Sequence, residues 1–190
     1  MKITVDSIIS DHDPLIRTKS EPVSLPLSSE DRELLEAMLT YVRDSQDDEK
    51  AEAENLQPAV GIAAIQVGVP KNMIAIVVPD PNNEEENIEF ALVNPKIISE
   101  SVQNSYLEHG EGCLSVKEEH QGYSYRHARI KVRAYDLLRD ESIVISASGF
   151  LAICLQHEID HLSGILYYDR IHKNDPFLSD PEAEVYDKLP

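Results

Sequence analysis

The chain is poor in cysteine, in positive charge and in long apolar runs. Its two cysteines, Cys113 and Cys154, are too few for a disulfide scaffold. In a chain without an export signal they are expected to be reduced, available as thiolate ligands or as small core residues. No apolar run approaches the length that spans a bilayer. The opening stretch MKITVDSIISDHDP has no charged segment followed by a long apolar one, so no signal peptide is expected. Lys and Arg number 17 against 35 Asp and Glu, for a net charge of −18. That balance argues against non-specific affinity for nucleic acid or anionic membrane and suits a soluble cytoplasmic protein. What remains is ordinary globular material, 42% apolar over 190 residues, enough for a single domain spanning 1–190 with its own core.

Ser28 and Asp31 are spaced as a capping box, and Leu34, Leu35, Met38, Leu39 and Val42 recur at helical spacing, which predicts a first helix of about four turns. The acidic stretch SQDDEKAEAENLQP after it reads as a surface excursion with a solvated charge run. From Met73 the pattern turns to β-rich runs, MIAIVV, EFALVNPKII, RIKVRAYD and ESIVIS, parted by breaks such as PDPNNEEEN, and these predict antiparallel strands. Ser148-Gly149 then leads into FLAICLQHEIDHLS, a second helix with Gly164 placed as its C′ glycine. The tail from about 173 to 190 is proline-rich and acidic, and is expected to be loosely held. There is no internal repeat. The sum is one α+β domain, an N-terminal helix and a central helix among antiparallel strands.

The central helix carries the chemistry. In QHEIDH, His157 and His161 are four apart, so they share one helix face about 6 Å apart along the axis and can bind one ion. Glu158 beside them is placed to handle the proton of an attacking water. Two imidazoles do not complete a metal site. Cys154 lies roughly 10 Å of axial rise from His161, too far for a shared ion, and reads as core. Glu182 and Glu184 lie downstream, where thermolysin-like peptidases place a third ligand, but in a proline-flanked tail without helical periodicity. In the other peptidase pattern Gly164 is in place, while Tyr167 stands where a histidine belongs. Cys113, next to Gly112 in EGCLSV, is the strongest source, and its bland alternative is a buried free thiol.

Three segments, VGIAAIQ (60–66), EGCLS (111–115) and QHEIDH (156–161), resemble in this order the signature motifs of the peptide deformylase family. Its members remove the N-formyl group from the initiator methionine of new bacterial and organellar proteins. The resemblance covers most of the chain, to just past Tyr168, and the polar insertion at 45–58 and the EGCLS context resemble the form typical of Gram-positive bacteria. It implies an α+β fold with the HExxH helix surrounded by antiparallel sheets. It implies Cys113, His157 and His161 as ligands of one divalent ion, usually ferrous iron, with zinc or nickel as substitutes. Glu158 would be general base and acid. The Gln66 side-chain amide and the N–H of Leu114 would hold the formyl oxygen, each such donor typically worth about 3 kcal/mol. Val60, Gly61 and Gly112 would pair with a substrate lying like an added strand.

Ile153 and Cys154, one turn before His157, are placed either to line a methionine pocket or to pack the helix core. Asp160 either orients a ligand histidine or faces solvent, and Glu111 either pairs with Arg126 behind the site or forms a surface ion pair. His12, His109, His120, His127 and His172 have no ligand spacing and read as ordinary surface histidines. The chain departs from the first motif at Ala59 and Ile65, where the family usually has glycine and proline; both bear on how a substrate strand fits. The implied partners are formyl-methionyl nascent peptides, met transiently at the ribosome, with no direct nucleic-acid or membrane contact. The short acidic tail gives no reason to expect a basic ribosome-docking helix. Two other functions stand beside this one: a zincin peptidase, which needs Glu182 or Glu184 rather than Cys113, and a non-catalytic metal-binding homologue, which needs neither Gln66 nor Glu158.

Overall fold

A computed structural model describes residues 1–186, with backbone only at 84 and 85. Helix α1, Ser29–Ser45, starts where the capping box requires: the Ser28 hydroxyl accepts the Asp31 N–H at 3.1 Å and donates to the Asp31 carboxylate at 2.8 Å. The acidic excursion after it is exposed, as its charge demands, but it is not irregular. Asp48–Glu54 form a short helix, α2, capped by the Asp47 carboxylate and closed by left-handed Asn55.

Five strands make the main sheet in the order β1-β2-β3-β6-β7, all antiparallel: β1 Gly61–Ala63, β2 Met73–Asp80, β3 Asn83–Glu100, β6 Arg129–Asp136 and β7 Glu141–Ser148. The four β-rich runs of the sequence are β2, β3, β6 and β7. Strand β2 reads as a continuous apolar run because both its faces are covered. Met73, Ala75 and Val77 pack with Leu35, Met38 and Val42 of α1, while Ile74 and Ile76 belong to the opposite cluster with Leu155. Leu155 lies on α3, Gly149–His161, so the sheet sits between the N-terminal and the HExxH helices. Gly164 follows that helix in a left-handed conformation (φ +70°), and a Cβ there would come within 2.2 Å of the Arg17 carbonyl oxygen, so the chain passes too closely for any side chain.

The tail corrects the expectation of looseness. Residues Glu184–Tyr186 form β8, which pairs parallel to β4 (Asn104–Leu107), and β4 also carries β5, Arg126–His127. Phe177 packs edge-on against Tyr123, Asn104 reaches Asp180, and Arg129 bonds Glu184 at 2.8 Å. Aromatic and ionic side chains upstream supply partners that the tail's own composition does not reveal. The last tail residues, 187–190, lie outside the described ones. No described helix is long and apolar enough to cross a membrane.

Candidate active site

One side of α3, with Ala152 and Leu155, packs on the sheet, and His157 and His161 meet the segment 111–115. The two imidazole centroids are 5.0 Å apart, and Cys113 Sγ lies 3.4 Å from His161 Nε2. The ligand atoms of Cys113, His157 and His161 all fall within 4.8 Å of one another, the one such cluster among the described residues. Glu182 and Glu184 are not in it; Glu184 is held by Arg129 instead. Tyr167 does not reach it either, and its phenol oxygen accepts the His120 N–H. Cys154 is buried in the core cluster, as its distance along the helix requires, and it also lines the adjoining cavity.

The groups behind the cluster fix its orientation. Glu111 accepts from His157 Nδ1 at 2.7 Å, so the imidazole turns Nε2 towards Cys113 and His161. The same carboxylate takes two bonds from Arg126, at 2.6 and 2.8 Å. With side-chain exposures of 1% and 3%, this is no surface ion pair. Burial alone would raise the Glu111 pKa, but the Arg126 guanidinium and His157 outweigh it and hold it at about 2. Arg126 continues to Asp160 at 2.9 Å, which also accepts from Arg170 at 2.6 Å. Asp160 therefore faces this buried network and not solvent. Burial holds His161 well below the usual imidazole range, hence neutral and able to ligate.

Glu158 stands apart from that network. It is 5% exposed, its Oε2 has no partner, and burial pushes its carboxyl up to about 7. Gly61 of β1 is packed against it: a Cβ on Gly61 would lie 2.6 Å from Glu158 Oε1. Gln66, in the turn Ala64–Val67, accepts the Ala63 N–H through Oε1 at 2.9 Å. Its Nε2 is thereby aimed at Ser115 Oγ (3.2 Å) and Cys113 Sγ (3.6 Å), into the site. Ser115 was not singled out in the sequence, although its place two residues after Cys113 brings its hydroxyl to this amide. Arg170 was missed too, being an exposed arginine with no local motif.

Beside the cluster lies a cavity of about 270 Å³ whose walls include Val60, Gly61, Leu107, Phe150 and Ile153. Leu114 and Gly112 line it as well, and a Cβ on Gly112 would meet no heavy atom within 4 Å. Strand β1 presents its open edge here. The Val77 N–H donates to the Val60 carbonyl, so by the alternation of an antiparallel ladder the Gly61 N–H and C=O point away from β2. The Ala63 N–H, which also points outward, is already taken by Gln66.

Comparison with known proteins agrees with this geometry. The sequence profile of the polypeptide deformylase family matches residues 5–177. The chain belongs to that family. It is 44% identical to peptide deformylase 2 of Bacillus cereus over 98% of this chain and 100% of that one. With peptide deformylase 2 of Bacillus subtilis it shares 46% identity, over 96% and 97%. Among solved structures, peptide deformylase from Ehrlichia chaffeensis superposes with a TM-score of 0.70 at 30% identity, covering 93% of this chain and 91% of the other. A Met-Ala-Ser-bound peptide deformylase from Acinetobacter baumannii gives 0.68 at 30%, over 90% and 100%. The protein is accordingly an enzyme of the deformylase class, acting on nascent peptides; that family is metal-dependent, and the Cys113, His157 and His161 cluster offers an ion three ligand atoms. The α+β fold and the family read from the three motifs stand, and the zincin and non-catalytic readings are not favoured.

Proposed function

We propose that the chain works as one catalytic domain that hydrolyses the formyl amide of formyl-methionyl peptides, with Cys113, His157 and His161 holding one divalent ion. The observation that carries this reading is the convergence of a thiol, two imidazoles and an unpartnered buried carboxyl beside an open strand edge. That donor set fits the ion: a thiolate with two imidazoles suits ferrous iron or zinc and leaves a position open, and ferrous iron is our choice for the native metal, with zinc or nickel as substitutes. Bound there, a divalent ion supplies Lewis acidity to the attacking water and the formyl oxygen.

The protein's own groups do the rest. Glu158 accepts the proton that water loses as it attacks the formyl carbon, then returns it to the departing amine nitrogen, so that formate and a free amino terminus result. A carboxyl poised at about 7 suits both transfers near neutral pH. Negative charge growing on the formyl oxygen is met by the Gln66 amide and the Leu114 N–H, each typically worth about 3 kcal/mol. The peptide lies along β1 and bonds to Gly61, with Val60 and Gly112 flanking it, and the methionine side chain enters the cavity wall of Ile153 and Cys154. The Acinetobacter baumannii relative with bound Met-Ala-Ser lends this reading a product of the right length. Under it the enzyme works in the cytoplasm on chains emerging from the ribosome, with no direct nucleic-acid contact.

The test is formate release from formyl-Met-Ala-Ser by anaerobically prepared enzyme, beside cleavage of internal bonds in an unformylated peptide. Rapid formate release without internal cleavage is expected. The converse would replace deformylation by a peptidase activity.

A further inference from the structure

The rim of the cavity is hung from the end of a helix that has no part in the chemistry. Segment 57–60 has no strand partner on its outer side, yet each of three α1-end residues bonds to it. The Tyr41 hydroxyl donates to the Gln57 carbonyl at 3.2 Å, and Ser45 Oγ accepts the Ala59 N–H at 3.1 Å. Gln46, which caps α1, donates both amide hydrogens of Nε2, one to the Ala59 carbonyl and one to the Val77 carbonyl, each at 2.9 Å. Two carbonyl partners leave no doubt which end of the amide faces them. The carboxamide thus bridges β2 and the chain entering β1, where the ladder opens. Gln46 also lines the cavity. On the outward edge, the Ala59 N–H and C=O are held by Ser45 and Gln46 and the Ala63 N–H by Gln66, and the Gly61 N–H and C=O face outward between them.

We propose that Gln46 is a positioning residue for peptide recognition: its amide fixes the strand edge at Val60–Gly61 against which the substrate backbone pairs. The inference rests on the deformylase reading and deepens it. Gln46 touches no reacting atom, so its loss should weaken the grip on peptide backbone and leave the chemical step in place. Ala59 stands where the family usually has glycine, and its N–H and C=O are both bonded to this helix end, which gives the edge a fixed course at the position of the departure.

The test compares wild type with Gln46→Met, which keeps length but donates nothing, and Gln46→Glu, which sets a carboxylate against two carbonyl oxygens. The substrates are formyl-Met-Ala-Ser and formyl-methionine, which lacks the following peptide. For the tripeptide KM should rise about tenfold in Gln46→Met and further in Gln46→Glu, with kcat within about twofold, as expected for two lost hydrogen bonds acting on binding. For formyl-methionine, kcat/KM should change far less. Hydrogen exchange in the 57–63 segment should quicken while the melting temperature holds. Equal losses on both substrates, equal effects of Met and Glu, or unchanged exchange would overturn the proposal. Failure of both variants to fold would overturn it too, by making Gln46 a folding residue. If wild type releases no formate from either substrate, the deformylase reading itself fails.

Discussion

Replacing Gly61 by alanine adds one methyl group at the contact between the strand edge and Glu158, the proposed proton-transfer group. The new Cβ would stand 2.6 Å from Glu158 Oε1, 2.8 Å from its Cγ and 2.9 Å from its Cδ. Glu158 is buried, so its carboxyl can give way only into the cavity it lines. To restore ordinary contact, its carboxyl or the β1 backbone must retreat by about 0.8 Å. Overpacking of this kind costs about 1–3 kcal/mol of stability. Displacing a proton-transfer group by about 1 Å can cost on the order of a hundredfold in rate. Gly61→Ala should therefore fold with a modestly lowered melting temperature, keep its metal, and lose about a hundredfold in kcat. Gly112→Ala is the control: its Cβ meets nothing within 4 Å, so stability and metal content should hold, and an effect should appear in KM for peptide if substrate backbone passes there. Steady-state formate release on metal-quantified samples reads both. Gly61→Ala with kcat within twofold of wild type would refute the placing of Glu158 beside the reacting carbon.

Other outcomes follow from the buried charges. Glu111→Gln leaves Arg126 short of a counter-charge and His157 without its anionic partner; we expect a loss of about 3–5 kcal/mol in stability and 10–100-fold weaker metal binding, read by chemical denaturation and by chelator competition. Glu111 is held at about 2, below its ordinary 4.5, so its contribution is present above 4.5 and is lost as pH falls towards 2; the gap in stability between wild type and Glu111→Gln should narrow over that window. Glu158 acts in the opposite sense: its carboxyl is raised to about 7, so the folded metal-free protein binds the extra proton and loses stability as pH rises from 4.5 through 7. Metal-free Glu158→Gln should accordingly exceed metal-free wild type by up to about 3 kcal/mol at pH 8 and match it near pH 4.5; a gap independent of pH would contradict the burial argument.

What could be read from the sequence was set by how local each signal is. The HExxH spacing, the α1 capping box and the apolar β2 run act over a few residues, and each appears in the structure as read. Cys113 emerged by elimination and from the motif order, because nothing local ties it to His157, 44 residues later in the chain. Strand β1 spans three residues, too few to show a period, although its open edge is where the proposed substrate strand would pair. Strand β8 hides in a tail whose composition argues for disorder; the strand it pairs with, β4, and the Arg129 that bonds Glu184 lie far upstream. The choice between second layer and solvent at Asp160 turned on Arg126 and Arg170 arriving from two other segments. Gln46 gave no signal at all, since a helix-capping glutamine looks the same whether its amide meets water or two backbone carbonyls.

The central claim, that Cys113, His157 and His161 hold the ion and Glu158 moves the proton, is tested most directly by measuring metal content and formate release on the same anaerobic samples of wild type, Cys113→Ala and Glu158→Gln. Wild type should carry one metal per chain and turn over rapidly. Glu158→Gln should keep the metal and lose turnover, and Cys113→Ala should lose both. A Cys113→Ala enzyme that still binds one metal and releases formate at the wild-type rate would contradict the account.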